Sequence, residues 1–399
     1  MKFNLSRISL HWPNFCWTGI SLALVFLILS APLLAGEYYP PRGEWERRAP
    51  QTMGFDANKL KAALILAQEK AVTEPSDLAQ VIYDSFNPRE PDFRLYGPTR
   101  PREGSAGLVI RGGYIVGEWG DLERVDMTFS VAKSYLSTVA GLALRDGLIN
   151  DLQRPVAQWV RDGHFESEHN RQISWRQLLQ QTSDWSGTLW DVPDWADRPE
   201  GDDPELWPQR VMHEPGSYFK YNDVRVNLLA YSLLQVWREP LPRVLKREVM
   251  DPIGASSTWR WHGYENSWVT VDGLSMQSVS GGGHFGGGLF INTLDHARFG
   301  LVFLRNGQWG DRQIISADWI EQLRQPAEAK PDYGYMWWLN TGKEQITGAP
   351  EEAFYAAGFG GNYIYVDQEN DLLIVLRWVP DLAVVVEAIL AALQAGTNS

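Results

Sequence analysis

The chain has 399 residues, 44% of them hydrophobic, enough for one large domain or two lobes around a shared cleft. Its formal net charge is -13, and Lys2 and Arg7 are the only charged residues among the first 36, so the remainder is more acidic still. This balance excludes nucleic-acid binding by charge and docking on anionic lipid, while a single cysteine, Cys16, excludes an internal disulfide and a thiolate metal site.

In chain order, Lys2, Arg7 and His11 precede an apolar run over about 17–35, the pattern of an export signal. The run is close to the ~20 residues that span a bilayer. A cleaved signal is favoured over a retained anchor, although a cut after Ala35 puts Leu33 where a small residue is wanted. Residues 37–50 are Pro-rich and charged and read as a linker, with the domain from 51 to 399. The spacing over 55–72 predicts a helix capped by Asp56, and 107–119 predicts two strands about Arg111-Gly112-Gly113. A helix starts at Ser130 and runs to about Arg145, stopped by Gly147. Residues 150–250 read as helical, broken by loops at 162–172 and 184–217, with 239–250 as a further helix.

The glycine cluster 281–288 lacks G-x-x-x-x-G-K-[ST] and a βαβ context, so it reads as tight chain packing beside a cleft. Helices follow at 294–305 and 317–323. Strands follow at 333–339, 353–357, 362–366 and 372–379, then a helix over about 382–393. Strands at both ends with helices between predict an α+β fold. It would be an antiparallel sheet flanked by helices, with a mostly helical lobe inserted at about 134–325.

Ser130 and Lys133 stand three apart and share one helix face, so the lysine can take the serine's proton. Alone, S-x-x-K is also a helix start with serine as cap, and the surroundings decide. The stretches TFSVAKSYL (128–136), LRDGLIND (144–151), ISWRQLLQQTS (173–183), EPGSYFKYND (214–223), GGGLFINT (286–293), YGYMWW (333–338) and GNYIYVD (361–367) occur in this order. Together they resemble the serine β-lactamase and penicillin-binding-protein superfamily over roughly residues 50–395. The closer branch holds class C β-lactamases, β-lactamase-fold carboxylesterases and nylon-oligomer hydrolases. The resemblance implies a β-lactamase/transpeptidase-like fold, with Ser130 as nucleophile, Lys133 as base and Tyr221 as proton relay. It also implies an oxyanion hole from the backbone N–H groups of Ser130 and Phe359, beside Gly358. Only a neutral amine acts as a base, so burial and positive potential would have to lower the Lys133 pKa.

Two departures shape the expected substrate. Asp223 stands where the family has Asn, and a carboxylate beside Lys133 would hold it protonated or orient it. The family's K-T-G is replaced by Ala356-Ala357-Gly358, without the lysine that grips a substrate carboxylate. That favours an esterase or amidase over a β-lactamase or D-alanyl-D-alanine carboxypeptidase. G-x-S-x-G is absent, which excludes the α/β-hydrolase elbow.

Residues 184–209 hold Trp185, Trp190, Trp195 and Trp207 among eight acids, and read as an active-site lid or as a packed surface loop. In the lid reading, aromatic walls such as Trp190 suit an apolar acyl chain and the acids disfavour an anion. His284 and Asn362 join Asp223, Trp190 and Gly358 as substrate-binding candidates, with a structural His284 the commoner case. Trp337 and Trp338 read as core. Seven scattered histidines without H-E-x-x-H imply no metal, and no organic cofactor is implied. The expected protein is an exported serine hydrolase, periplasmic or membrane-anchored, cleaving an ester or amide of a small molecule through an acyl-enzyme on Ser130. It has no nucleic-acid partner, and its N-terminal apolar segment offers a membrane tether. The alternatives are a β-lactamase or D-alanyl-D-alanine carboxypeptidase-type enzyme, and a non-catalytic envelope binding protein of the same fold.

Overall fold

Residues 372–376 (LLIVL) are apolar without alternation, the mark of a strand covered on both faces. The structure is a computed structural model that describes residues 37–73, 75–90 and 93–394. In it, Leu372–Arg377 lies inside a six-stranded antiparallel sheet. The strand order is 338–339, 354–358, 362–367, 372–377, 106–111, 114–119. Leu372, Ile374 and Leu376 pack under the helices Ala57–Glu69 and Leu382–Leu390. Leu373 and Val375 join Phe299 and Phe303 of the helix Thr293–Leu304 on the other face. Each such side chain, fully buried, contributes about 1.5–3 kcal/mol. Arg377 shares the parity of Leu373 and Val375, so the pleat turns it toward this second face. The register Ala106↔Arg377 joins the two ends of the domain, and residues 120–337 leave this sheet as an excursion.

That excursion contains the two helices that position the candidate site residues Lys133 and Asp223, Ala132–Arg145 and Asp223–Trp237. Gly141 lets Trp319 lie against the first of them, since a Cβ there would stand 2.6 Å from the indole ring. The excursion also holds a second sheet, ordered 126–127, 288–291, 260–271, 274–279. Its hairpin Arg260–Val271/Leu274–Val279 was not legible as strands. The longer strand mixes charge with aromatics, leaves Trp268 exposed, and loses register between Gly263 and Trp268. The helix Leu78–Phe86, capped by Asp77, was also missed.

Other expectations need correction. Among described residues 150–222 the one α-helix is the five-residue Trp175–Leu179; the rest is 3-10 turns, loops and the short antiparallel pair Thr188–Leu189/Val192–Pro193. The helix expected over 239–250 is Leu241–Leu245, widening into a π turn at Lys246–Met250. Only Trp338–Leu339 of 333–339 is strand, because Met336 turns the chain at φ 60°. Residues 37–50 are no free linker. Trp45 is buried and donates to Gly113 O at 2.7 Å, and Arg298 donates to the carbonyl of Pro40 at 2.8 Å. The expected leader or tether, 1–36, lies outside the described residues, among which no helix is long and apolar enough to cross a membrane.

Candidate active site

The chain reaches Ser130 through a sharp turn. Phe129 sits at φ 48°, a left-handed conformation that costs a non-glycine residue energy. Its neighbours hold it there: Thr128 N donates to Leu289 O at 2.9 Å, and the Phe129 ring packs 5.2 Å from that of Phe359. The end of strand Phe354–Gly358 presses on this turn, where a Cβ on Gly358 would stand 2.2 Å from Thr128 O and 3.2 Å from Ser130 N. Phe359 follows immediately, and its ring is partly exposed.

One helical turn after Ser130, Lys133 is buried and donates from Nζ to Ser130 Oγ at 2.8 Å and to Asp223 Oδ1 at 2.7 Å. Asp223 opens its helix behind the cap Asn222, whose side chain accepts from Arg225 N at 2.9 Å. The Tyr221 ring lies 4.7 Å from Lys133 Nζ and stacks on Trp338 with centroids 6.0 Å apart. Ser130, Tyr221, Asp223 and His284 line one cleft of about 450 Å³, with Gly358 and Phe359 on its rim. Gly282 admits the ion pair: a Cβ there would stand 1.7 Å from Asp223 Oδ1 and 2.2 Å from Lys133 Nζ. The glycine cluster is thus close packing, for a stated reason.

Burial pulls the Lys133 pKa down, but the Asp223 charge and the Tyr221 oxygen beside it outweigh burial, and the net direction is up. Asp223, against its own burial, is held far below the usual carboxylate range by Lys133 and Arg198. The expectation of a lowered lysine is therefore corrected: at rest Lys133 is an ammonium donating to Ser130. Arg198 extends the pair, donating from Nη1 to Asp223 Oδ2 at 3.2 Å and to Asp197. Its Nη2 meets His284 Nδ1 at 3.3 Å, and His284 Nε2 meets Glu90 Oε2 at 2.7 Å. Glu90, Asp197 and His284 could reach one ion, since their ligand atoms lie within 4.8 Å of one another. The Arg198 donor requires Nδ1 to accept, which keeps the ring proton on Nε2 facing Glu90. Both ring nitrogens are thereby engaged in hydrogen bonds.

Several sequence candidates land elsewhere. Trp190 is not in the cleft; it sits at φ 50° and packs edge-on against Tyr264, because the loop turns it toward the core. Trp185 is buried, and Trp195 lines a separate cavity with Glu90. The aromatic walls come instead from Phe86, Phe359, Tyr355, Tyr363 and Trp338, so Trp338 is a cleft residue and not core. Asn362 is fully buried: it donates to Phe359 O at 2.8 Å and accepts from Arg377 Nε at 2.7 Å. Arg377 also donates to Met127 O and Ile291 O, stapling the 359 turn to the segment before Ser130. Burial with these neutral partners lowers the Arg377 pKa to about 10.

None of the eight acids of 184–209 lines the cleft. Asp184, Asp194 and Asp197 are buried in ion pairs with arginines, and the rest are exposed. The one charged side chain this loop brings to the cleft is Arg198, which neither spacing nor motif had singled out.

Comparisons with known proteins agree with this fold. The family model described as Beta-lactamase matches residues 99–386. An Escherichia coli protein provisionally named D-alanyl-D-alanine carboxypeptidase is 24% identical over 199 residues, covering 42% of this chain and 46% of that protein. The chain thus spans about half the length of the curated relatives it matches. Among solved structures, "EstCE1, a hydrolase with promiscuous acyltransferase activity" is similar at a TM-score of 0.55 and 16% identity, covering 85% of this chain and 99% of that one. A family VIII carboxylesterase gives a TM-score of 0.55 at 16% identity, covering 84% and 97%. The octameric penicillin-binding protein homologue from Pyrococcus abyssi gives 0.54 at 15%, covering 85% and 78%. At these identities the likeness is one of fold.

Proposed function

This chain belongs to the Beta-lactamase family of serine hydrolases, and from that premise we propose that it cleaves an ester or amide bond through an acyl-enzyme on Ser130. The observation that carries the reading is Lys133 Nζ at 2.8 Å from Ser130 Oγ in the cleft, with the Tyr221 ring 4.7 Å from the same nitrogen. Lys133 first releases its extra proton. The neutral amine then takes the Ser130 proton as Oγ bonds to the substrate carbonyl carbon. Charge developing on the carbonyl oxygen meets the N–H groups of Ser130 and Phe359, each such donor contributing about 2.7–4 kcal/mol. Tyr221 relays the proton taken by Lys133 to the leaving oxygen or nitrogen as its bond to carbon breaks. Water then adds to the acyl carbon, its proton passes through Tyr221 and Lys133 to Ser130 Oγ as the Oγ–carbon bond breaks, and the carboxylic acid leaves.

Aromatic walls and the absence of a lysine at Ala356 support a neutral acyl substrate. The description of the family model and the name of the curated relative support a second reading, a β-lactamase or D-alanyl-D-alanine carboxypeptidase-type enzyme. The segment 1–36, basic and then apolar, belongs to the same proposal as an export leader; the mass of the mature protein tests it.

The hydrolase reading is tested by turnover of p-nitrophenyl acetate, p-nitrophenyl butyrate and a chromogenic cephalosporin, each against Ser130→Ala. Ester turnover lost in the variant, with little cephalosporin cleavage, is the expected result. Rapid cephalosporin cleavage moves the assignment to the second reading. No turnover, and no fluorophosphonate label on Ser130 at any pH between about 6 and 9, defeats the hydrolase reading and leaves a binding protein.

A further inference from the structure

Arg198 is built into the cleft more firmly than a surface arginine. Its backbone sits at φ 54°, and its carbonyl accepts from Lys220 Nζ at 2.7 Å. Its guanidinium lies 5.3 Å from the Tyr221 ring centroid and 5.7 Å from that of Phe86. The side chain is 36% exposed, whereas the two carboxylates that hold it, Asp197 and Asp223, are 0% and 1% exposed. A guanidinium carries five N–H donors. Nη1 uses both of its own on Asp197 and Asp223, and Nη2 uses one on His284. Its Nε–H and one Nη2–H have no partner among the described residues.

The charge around this open edge is balanced. Lys133 and Arg198 are offset by Asp197 and Asp223, which hold them in direct ion pairs. The cleft therefore offers directed donors without a net positive field, which suits a neutral oxygen better than an anion. Asp223 is 1% exposed and engaged by Lys133 and Arg198, so the 36% exposed arginine is the more open of the two to a bound molecule.

We propose that Arg198 is a specificity-determining residue whose open N–H edge binds a second, neutral carbonyl oxygen on the acyl side of the substrate, the part that stays in the cleft through both half-reactions. The preferred substrates are then acyl groups carrying an amide or ester carbonyl beyond the scissile one. This inference rests on the hydrolase reading above.

The test compares kcat/KM for p-nitrophenyl butyrate, p-nitrophenyl N-acetylglycinate and p-nitrophenyl hydrogen succinate, each normalised to its rate with hydroxide. Wild type, Arg198→Lys and Arg198→Met are measured. The expected result is a wild-type preference for N-acetylglycinate over butyrate on the order of ten- to a hundredfold, the range of a hydrogen bond to a charged donor. Arg198→Met should bring that ratio near one and Arg198→Lys should retain part of it. A general loss of activity cancels in the ratio, and the wild-type ratio needs no variant to fold. A flat wild-type ratio, or one unchanged in Arg198→Met, overturns the inference while Ser130-dependent turnover of butyrate leaves the hydrolase reading standing. A preference for the succinate over both also overturns it, in favour of an anion site. Loss of Ser130-dependent turnover for all three esters defeats both readings.

Discussion

Two ion clusters flank the Trp-rich loop, made from nearly the same parts. In one, Asp184 Oδ1 accepts from Arg210 at 2.7 Å and from Arg225 at 2.8 Å, and Asp194 Oδ2 pairs with Arg225 at 3.0 Å. In the other, Asp223 and Asp197 hold Arg198, and Asp223 holds Lys133. The first cluster is closed over and contributes nothing to the cleft lining, while the second opens into it through Arg198. The two arginines of the first, joined by His213 with Nδ1 3.5 Å from Asp184 Oδ2, do not give up a proton; the second contains an amine hydrogen-bonded to the Ser130 hydroxyl. Buried charge alone is thus no mark of a site. An exchangeable proton next to a nucleophile, with access from solvent, is what separates the two.

The comparison can be broken at either end. Lys133→Ala should have the largest effect, lowering kcat for p-nitrophenyl butyrate by about a thousandfold, ~4 kcal/mol in the barrier, with the protein still folded. An unchanged kcat removes Lys133 from the mechanism. Arg225→Met, in the sealed cluster, should instead cost about 3 kcal/mol of folding stability while kcat per folded molecule holds. Urea unfolding read alongside activity checks both halves, and a kcat loss at unchanged stability would erase the distinction between the clusters.

Asp223→Asn sharpens it. With the carboxylate gone, burial prevails at Lys133 and the amine sheds its proton at lower pH. The limb of kcat/KM that rises with pH should move to lower pH, and the rate at pH 7 should increase by about tenfold. A limb that stays in place means another group controls it.

The smallest effect is on acid stability. The Asp184 pKa is lowered: against its burial, the His213 N–H and the charges of Arg225 and Arg210 favour the ionised form. A depressed carboxylate stabilises the fold above its unfolded pKa of about 3.9 and loses that contribution as pH falls through the folded value. The difference in unfolding free energy between wild type and Asp184→Asn should therefore narrow below about pH 4, by roughly 1 kcal/mol. Lys133 has the opposite sign: its raised pKa stabilises the fold below about 10.4 and fades as pH rises through the folded value.

Legibility followed the range of the interactions. The 372–377 strand could be read because covering both faces leaves only apolar residues over 372–376, and the 57–69 helix because Asp56 caps it where its spacing begins. The 260–271 strand could not be read, because its outward side carries charge and an exposed Trp268. The acids of 184–209 looked like cleft charges, yet three of them are spent on arginines, one of which, Arg225, lies on a helix beyond the loop.

By itself the sequence determined that Ser130 and Lys133 share a helix face, that a strand-rich start and end enclose a long excursion, and that a carboxylate replaces an amide at Asp223. These are local facts, set by helical spacing and by residue type. Only the tertiary structure decided that Asp223 lies 2.7 Å from Lys133 and keeps it protonated, and that Trp190 turns away while Trp338 faces the cleft. It alone decided that Arg198 reaches the cleft. Each of these depends on which charges and rings from distant segments are pressed together out of water, where a partner a few ångströms away outweighs any preference the residue has on its own.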